Sequence, residues 1–468
     1  MTGVKRILHL GLGSFHRAHQ AVYLQDLIDL GDTTWTLAGG NLRPDMADTI
    51  AALQAQGGAY TLETISPVGE HHYQRITAIN QVVAHEPSLA GLIALGASVQ
   101  TAIISFTVTE AGYYLDATTQ LDRSFADLNA DLAKVQAGGV GQTIYGALVA
   151  ILRTRMAVGA GKVTLLNCDN LRHNGERFRH GLLQFIELLG DHALLTWVHT
   201  HTTCPNAMVD RITPRPTPEV AQRVKRATGV DDPAALMGER FIQWVIEDDF
   251  CAGRPDWERV GVQMVPSVAP YEEAKIRILN AAHSCIAWAG TLRGYQYIHQ
   301  GTHDARIRQI AFDYVTDDVI PCLHSVAYPS PIDLAAYRDV VLERFGNPAI
   351  CDTNQRVAMD GFSKIPGFIA PTVRERLAQG QQIASVAMLP ALFLNYLGRW
   401  HRGQVPYLYQ DPAMDPDATH AMCQSSDPVA WFCADSVLWG DLAGDARLVQ
   451  AIRQADQRVK QFEQETTP

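Results

Sequence analysis

The opening of the chain leaves few folds available to it. Residues 4–10 have the β-branched and aliphatic character of a buried strand, and they run straight into Gly11-Leu12-Gly13-Ser14-Phe15-His16-Arg17-Ala18-His19. A helix is predicted to follow at once, with Ala21, Leu24, Leu27 and Ile28 as its apolar stripe and Gly31 as its stop. Strand, Gly-x-Gly turn and helix form a nucleotide-binding βα unit. The first glycine permits the tight turn, and the second lets a pyrophosphate approach backbone N–H groups at the helix N-terminus. Gly11, Gly13, Ser14 and Phe15 are therefore candidate cofactor-binding residues, and His16 stands where a third glycine is usual. A second strand is expected over residues 35–38, followed by Gly39-Gly40-Asn41-Leu42-Arg43-Pro44-Asp45. Asp45 lies a little farther along than the ribose-binding acid, which is usually found roughly 20 residues past the glycines; it is the candidate for that contact.

Strand and helix patterns alternate to about residue 200, as in a parallel sheet with crossover helices. Residues 99–108 read as a buried strand ending at Thr109-Glu110-Ala111-Gly112, and residues 163–166 as another ending at Asn167-Cys168-Asp169-Asn170. Open α/β sheets bind ligands beyond the carboxyl ends of their strands, which favours Glu110 and Asn170 as site residues. The plainer alternative is a loop carboxylate and a helix cap, common for Asp and Asn just before a helix. From about residue 270 the strand signals fade. Asp333 caps a helical pattern ending at Phe345-Gly346-Asn347-Pro348, and residues 381–397 and 445–463 are further helical candidates. The expected architecture is an α/β, Rossmann-type dinucleotide-binding domain over residues 1–268 and a mainly α-helical substrate and catalytic domain over residues 269–468, hinged near Val265-Pro266-Ser267. At 468 residues the chain exceeds the size at which one core keeps growing. The polar tail at residues 464–468 is expected to fray.

The helical half contains Lys275-Ile276-Arg277-Ile278-Leu279-Asn280-Ala281-Ala282-His283, an amine, an amide and an imidazole within reach of one small molecule. The helix is expected to run from near Pro270 to Gly290. At roughly 100° per residue, His283 lies about 80° and Asn280 about 140° around the axis from Lys275, with Glu272 between Lys275 and His283. All four project from one side, as a proton-transfer site requires. Spacing alone favours the plainer reading of a surface lysine, a helix-capping carboxylate and a hydrogen-bonded core histidine over catalysis, so other motifs must decide.

Several partner classes are disfavoured. A formal net charge of −11 with no Lys/Arg run argues against nucleic acid. Eight scattered cysteines without a C-x-x-C pair fit free thiols, and Lys5-Arg6 begins no complete signal peptide, so a cytoplasmic protein is expected. The longest apolar stretch, residues 383–397, is short and interrupted by Pro390 and Asn395, so no membrane span is expected. Zinc at His16 and His19, or at Glu70-His71-His72, lacks a ligand set with tetrahedral-site spacing.

The run Gly11 through Gln20, Ser105-Phe106-Thr107-Val108-Thr109-Glu110, Cys168-Asp169-Asn170, Met208-Val209-Asp210-Arg211-Ile212-Thr213-Pro214 and the K-x4-N-x2-H helix together resemble the polyol-specific long-chain dehydrogenases, of which the mannitol dehydrogenases are members. The resemblance covers nearly the whole chain in order. Residues 167–179 and 283–290 look most like members that oxidise D-arabinitol at C4. The resemblance implies Lys275 as general base, Asn170 and Asn280 as amide donors to the developing alkoxide, and His283 as a substrate-orienting group. It also implies Asp210, Arg356 and Lys364 as polyol-hydroxyl ligands, and Glu110 and Glu272 in proton release. A lysine acting near neutral pH must shed proton affinity, which burial favours and an ionised Glu272 nearby opposes.

Mannitol dehydrogenases of this family tend to carry two adjacent acids after the second strand, where this chain has Asp45-Met46. One carboxylate there favours NAD over a 2′-phosphorylated cofactor, although Arg43 stands close enough to accommodate that phosphate. The expected enzyme is a metal-independent monomer acting on a small polyol or ketose. Oxidation of D-mannitol and reduction of a hexuronate are the alternatives within the family. A non-catalytic nucleotide sensor would share the glycine turn but would have little reason to keep Lys275, Asn280, His283 and Asn170.

Overall fold

A computed structural model of the chain describes residues 3–116, 118–325 and 329–464; residues 465–468 of the polar tail lie outside the described residues. Contacts divide the chain into two units. One runs to Ser66 and from Glu70 to Ala269, and the other runs from Pro270 together with Pro67–Gly69.

The first unit is built on a six-stranded sheet in the order Ile79–Val83, Trp35–Gly40, Lys5–Leu10, Thr101–Phe106, Val163–Asn167, Thr202–Thr203. Every neighbouring pair is parallel. The chain adds strands first to one side of Lys5–Leu10 and then to the other, so the order reverses between Lys5–Leu10 and Thr101–Phe106, where such sheets bind ligands. The pleat explains the apolar runs. Ile7, Leu37, Ile103 and Leu166 enter the core on one face, while Leu8, Ala38, Ile104 and Leu165 enter the core on the other. Two three-stranded sheets were not expected from the sequence: Leu236–Glu239 with Tyr60–Ile65 and His71–Ile76, and Gln263–Val265 with Gln243–Glu247 and Ala207–Asp210. Their strands are three to six residues long, and Tyr60–Ile65 is buried at every position, so no alternation marks it.

The helix after the glycine turn is interrupted, contrary to the expectation of one continuous helix. Ser14–Ala18 ends at His19, with φ −127° and ψ −85°, and Gln20–Asp29 restarts from there. Side chains draw two carbonyls out of the ladder: the Tyr60 hydroxyl donates to Arg17 O at 2.6 Å, and Arg211 Nη1 donates to Ala18 O at 2.5 Å. The stop at Gly31 is as expected, at φ +88°.

In the second unit the described residues form helices, with one isolated β-bridge between Tyr297 and Thr353. Its core gathers around the helix Ala281–Leu292, against which Met388–His401, Asn354–Ala358 and Ala305–Asp313 pack. Asp333 caps Leu334–Phe345 as expected, accepting from Ala336 N at 2.9 Å. The helix expected from residue 381 starts only at Met388, which puts Pro390 in the first turn, where its missing N–H costs nothing. The helix expected to end at Gly290 continues to Leu292. Gly290 instead serves close packing, because a Cβ there would lie 2.7 Å from Asn354 Nδ2, which donates to Tyr295 O.

Candidate active site

The glycine turn is fastened from two neighbouring strands. Gly11 has φ +111°, and a Cβ on it would lie 2.5 Å from Thr107 O, so only glycine fits. Thr107 Oγ1 donates to Gly11 O at 3.1 Å, and Leu12 N donates to Asn41 Oδ1 at 2.8 Å. A Cβ on Gly13 would meet nothing within 4 Å, which leaves backbone open to a phosphate at the head of the sheet. The turn therefore fits a dinucleotide. Sequence reasoning gave Asn41 and Thr107 no role, although one follows the Gly-Gly that ends the second strand and the other stands in the Ser105–Glu110 motif. Asp45 is exposed, and its backbone carbonyl accepts from Asn41 Nδ2 at 3.3 Å. Arg43 donates to the Tyr114 hydroxyl at 3.1 Å, with Asp127 3.9 Å away.

Beneath the turn, His9 and His16 stack with ring centroids 3.4 Å apart. Both are fully buried, and burial pushes the proton affinity of each down, His9 to a pKa of about 3. His9 Nδ1 lies 2.8 Å from Ser105 Oγ and Nε2 lies 3.2 Å from Thr107 Oγ1. Thr107 donates onward to Gly11 O, so it accepts from His9 and fixes the Nε2–H tautomer. His16 Nδ1 lies 3.2 Å from Gln20 Oε1, His19 Nε2 lies 2.8 Å from Gln243 O, and His71 pairs with Glu63 at 2.8 Å.

At the carboxyl ends of Thr101–Phe106 and Val163–Asn167, Asp169 ties two loops together. It accepts from Val108 N at 2.8 Å, from Thr109 N at 3.0 Å and from the Tyr113 hydroxyl. Burial raises its proton affinity and these donors oppose that. It is a staple between loops, not a helix cap. Asn170 follows it at the surface, on a loop that Asn174 braces through bonds to Asn167 O, Asp169 O and Ala207 O. Glu110 opens the short turn Glu110–Tyr113, and its side chain lies outside the described residues. Asp210 is buried at the end of Ala207–Asp210, paired in register with Gln243.

In the second unit, Lys275 begins a π-helical turn, Lys275–Asn280, between Ala269–Ala274 and Ala281–Leu292. Two more π turns, Tyr314–Val319 and Ile365–Ile369, pack against it. The Tyr314 hydroxyl donates to Arg277 O at 2.8 Å, occupying a carbonyl of the widened ladder. One extra residue in the turn corrects the angles expected for an unbroken α-helix. Asn280 takes the place an i+4 residue would hold, about 40° from Lys275, and His283 falls within about 20° of it. Lys275 and Glu272 are both buried, each 5% exposed.

The ring of His283 stacks on Phe345 at 4.3 Å. Its Nε2 lies 3.2 Å from Asp352 Oδ2, and burial lowers the proton affinity of the ring although Asp352 opposes that. Arg356 grips the same carboxylate, with Nε at 2.7 Å and Nη2 at 2.5 Å. Burial opposes the charge on Asp352, yet His283 and Arg356 outweigh it and hold the carboxyl far below its usual range. Lys364 Nζ donates to Val357 O at 2.7 Å, and burial lowers its pKa to about 8. His283, Arg356 and Lys364 are thus brought into one cluster, organised by Asp352, which no sequence motif marked. Among the described residues, no group of three or more His, Cys, Asp or Glu is arranged to hold a metal ion, and no helix is long and apolar enough to cross a membrane.

Residues 5–259 match the model of the mannitol dehydrogenase Rossmann domain, and residues 267–460 match that of the mannitol dehydrogenase C-terminal domain. The chain is 58% identical over 457 residues to the D-arabinitol 4-dehydrogenase of Ralstonia nicotianae, covering 97% of this chain and 96% of the relative. It is 55% identical over 447 residues to the D-arabinitol 4-dehydrogenase of Klebsiella pneumoniae, covering 96% of each. Among solved structures, the Pseudomonas fluorescens mannitol 2-dehydrogenase ternary complex with NAD and D-mannitol superposes with a TM-score of 0.82 at 32% identity, covering 98% of this chain and 94% of that one. With both domain models matched in order and close relatives aligned almost end to end, this chain belongs to the mannitol dehydrogenase family.

Proposed function

We propose that the protein is an NAD-dependent polyol dehydrogenase that oxidises D-arabinitol at C4: D-arabinitol + NAD⁺ gives D-xylulose + NADH + H⁺. The observation that carries this reading is the identity above one half, over nearly the full length, to two D-arabinitol 4-dehydrogenases. The glycine turn fastened by Asn41 and Thr107 supports a dinucleotide cofactor, as does the NAD complex of a relative with the same fold. When bound, NAD accepts the hydride from the carbinol carbon.

Lys275 takes the hydroxyl proton in this reading, and its burial is the environment a lysine base requires. Asn170 and Asn280 donate amide N–H groups to the oxygen as it gains charge. Glu110 and Glu272 pass the proton on from Lys275 to water. His283, Arg356, Lys364 and Asp210 engage the remaining hydroxyls. A site that pairs each hydroxyl discriminates strongly against a polyol with one missing or misplaced, because buried polar groups are then left unpaired. Asp45 accepts from the cofactor ribose, and the engagement of Arg43 with Tyr114 favours NAD over a 2′-phosphorylated cofactor.

The test is a spectrophotometric screen of pentitols and hexitols with NAD and NADP, with the product identified by chromatography. D-Arabinitol with NAD is expected to give the highest kcat/KM, with some activity on D-mannitol. A higher value for D-mannitol, or a pentulose other than D-xylulose, refutes the substrate assignment. Absence of activity on every alditol refutes the dehydrogenase reading itself.

A further inference from the structure

Two cations that the proposed function assigns to polyol hydroxyls, Arg356 and Lys364, would ordinarily make an anion site. Arginine in particular meets carboxylates through a two-pronged fork. Here that fork is already filled: Asp352 accepts from both Nε and Nη2 of Arg356. Lys364 Nζ is held by Val357 O, and burial lowers its proton affinity while the negative charges of Asp360, Asp411 and Asp352 oppose that. The Asp352–Arg356 pair also differs from an ordinary pair one helical turn apart on a surface. The arginine is 63% exposed, but the Asp352 side chain is 9% exposed. Its third contact is His283, on the helix Ala281–Leu292. The Asp352 backbone is tied as well, accepting from Ile298 N at 2.9 Å.

We infer that Asp352 is a specificity-determining positioning residue: by occupying the fork of Arg356 and holding His283, it reserves this cluster for uncharged polyols and turns carboxylated analogues away. The inference rests on the polyol dehydrogenase reading, since it takes Arg356 and Lys364 to contact substrate. An alditol hydroxyl can still accept from the outward N–H groups of Arg356 and from Lys364. A substrate carboxylate would have to displace Asp352 or sit as a like charge beside that buried carboxylate, which is unfavourable.

The experiment compares D-arabinitol with D-arabinonate, which carries a carboxylate in place of the terminal hydroxymethyl group remote from C4. Both are assayed with NAD in the wild type and in Asp352→Asn, an isosteric change that removes the charge. The wild type is expected to prefer the alditol by at least about 100-fold in kcat/KM, and Asp352→Asn to narrow that ratio by about tenfold or more, chiefly through KM. If both substrates lose activity in parallel and the ratio is unchanged, Asp352 is only a structural brace and the inference is overturned. Asp352→Glu keeps the charge and must keep the discrimination within about threefold of the wild type. That variant decides the matter should Asp352→Asn fail to fold, because loss of discrimination in it also overturns the inference. Wild-type inactivity toward every alditol overturns the underlying reading, and the inference with it. Activity on alditols with an unchanged ratio overturns the inference alone.

Discussion

The stacked pair His9–His16 makes the stability of the first unit sensitive to acid in a window where carboxylates contribute little. In the unfolded chain His9 titrates near 6.5, whereas burial holds it at a pKa of about 3 in the folded protein. Between those values the unfolded state binds more protons than the folded state, so stability falls as pH falls through 6.5 toward 3. At 1.36 kcal/mol per pH unit below 6.5, a drop to pH 4.5 removes about 3 kcal/mol through His9 alone, and His16 adds to it in the same direction. Carboxylates whose proton affinity folding lowers, such as Glu63 and Asp352, begin to lose their contribution only below about pH 4.5. The assay is urea unfolding at pH 7.0 and pH 4.5, followed by fluorescence. Trp244, buried beside His19, and Trp257, buried against Trp244, report on the first unit. His9→Gln keeps one donor and one acceptor but does not titrate. It should be less stable than the wild type at pH 7.0, yet lose about 3 kcal/mol less on acidification. Equal pH dependence in variant and wild type would refute the argument.

Two further perturbations test the proposed chemistry. Lys275→Ala should lower kcat by about 10²–10⁴-fold while NADH fluorescence titration shows cofactor binding retained, and a fall of less than about tenfold removes the base assignment. Gly11→Ala should weaken NAD binding by about tenfold or more in calorimetry, because its methyl group would sit 2.5 Å from Thr107 O at a left-handed φ; an unchanged affinity would mean the turn shifts freely.

Much of this protein can be read from its sequence because its elements follow one period each. The strand Lys5–Leu10, the turn at Gly11–Gly13 and the stop at Gly31 are local features, set by side-chain alternation and by φ values that only glycine adopts readily. The cap at Asp333 is equally local. What escaped the sequence reading was set by distant partners. The break at His19 depends on Tyr60 and Arg211, which lie far along the chain and draw off two carbonyls. Asp352 acquires its role from His283, which is remote in the chain, and Asn41 from Leu12. The π turn at Lys275–Asn280 leaves no compositional trace, since its residues would suit an α-helix just as well; neighbouring packing and the Tyr314 hydroxyl select it.

That turn also acts as a vernier. A helix holding one surplus residue can pass it a position up or down without breaking at either end, and each such step swings the side chains crossed by the slip through about 100° while those beyond it stay put. Lys275, Asn280 and His283 can therefore be re-aimed relative to one another by moving a backbone irregularity, with none of them replaced. Substitutions at Ile278, wholly buried inside the turn, or at Tyr314, which holds Arg277 O, are positioned to set where the surplus residue rests. A change of substrate in this scaffold has a route through silent core positions, and libraries restricted to the polar residues of the site would pass it by.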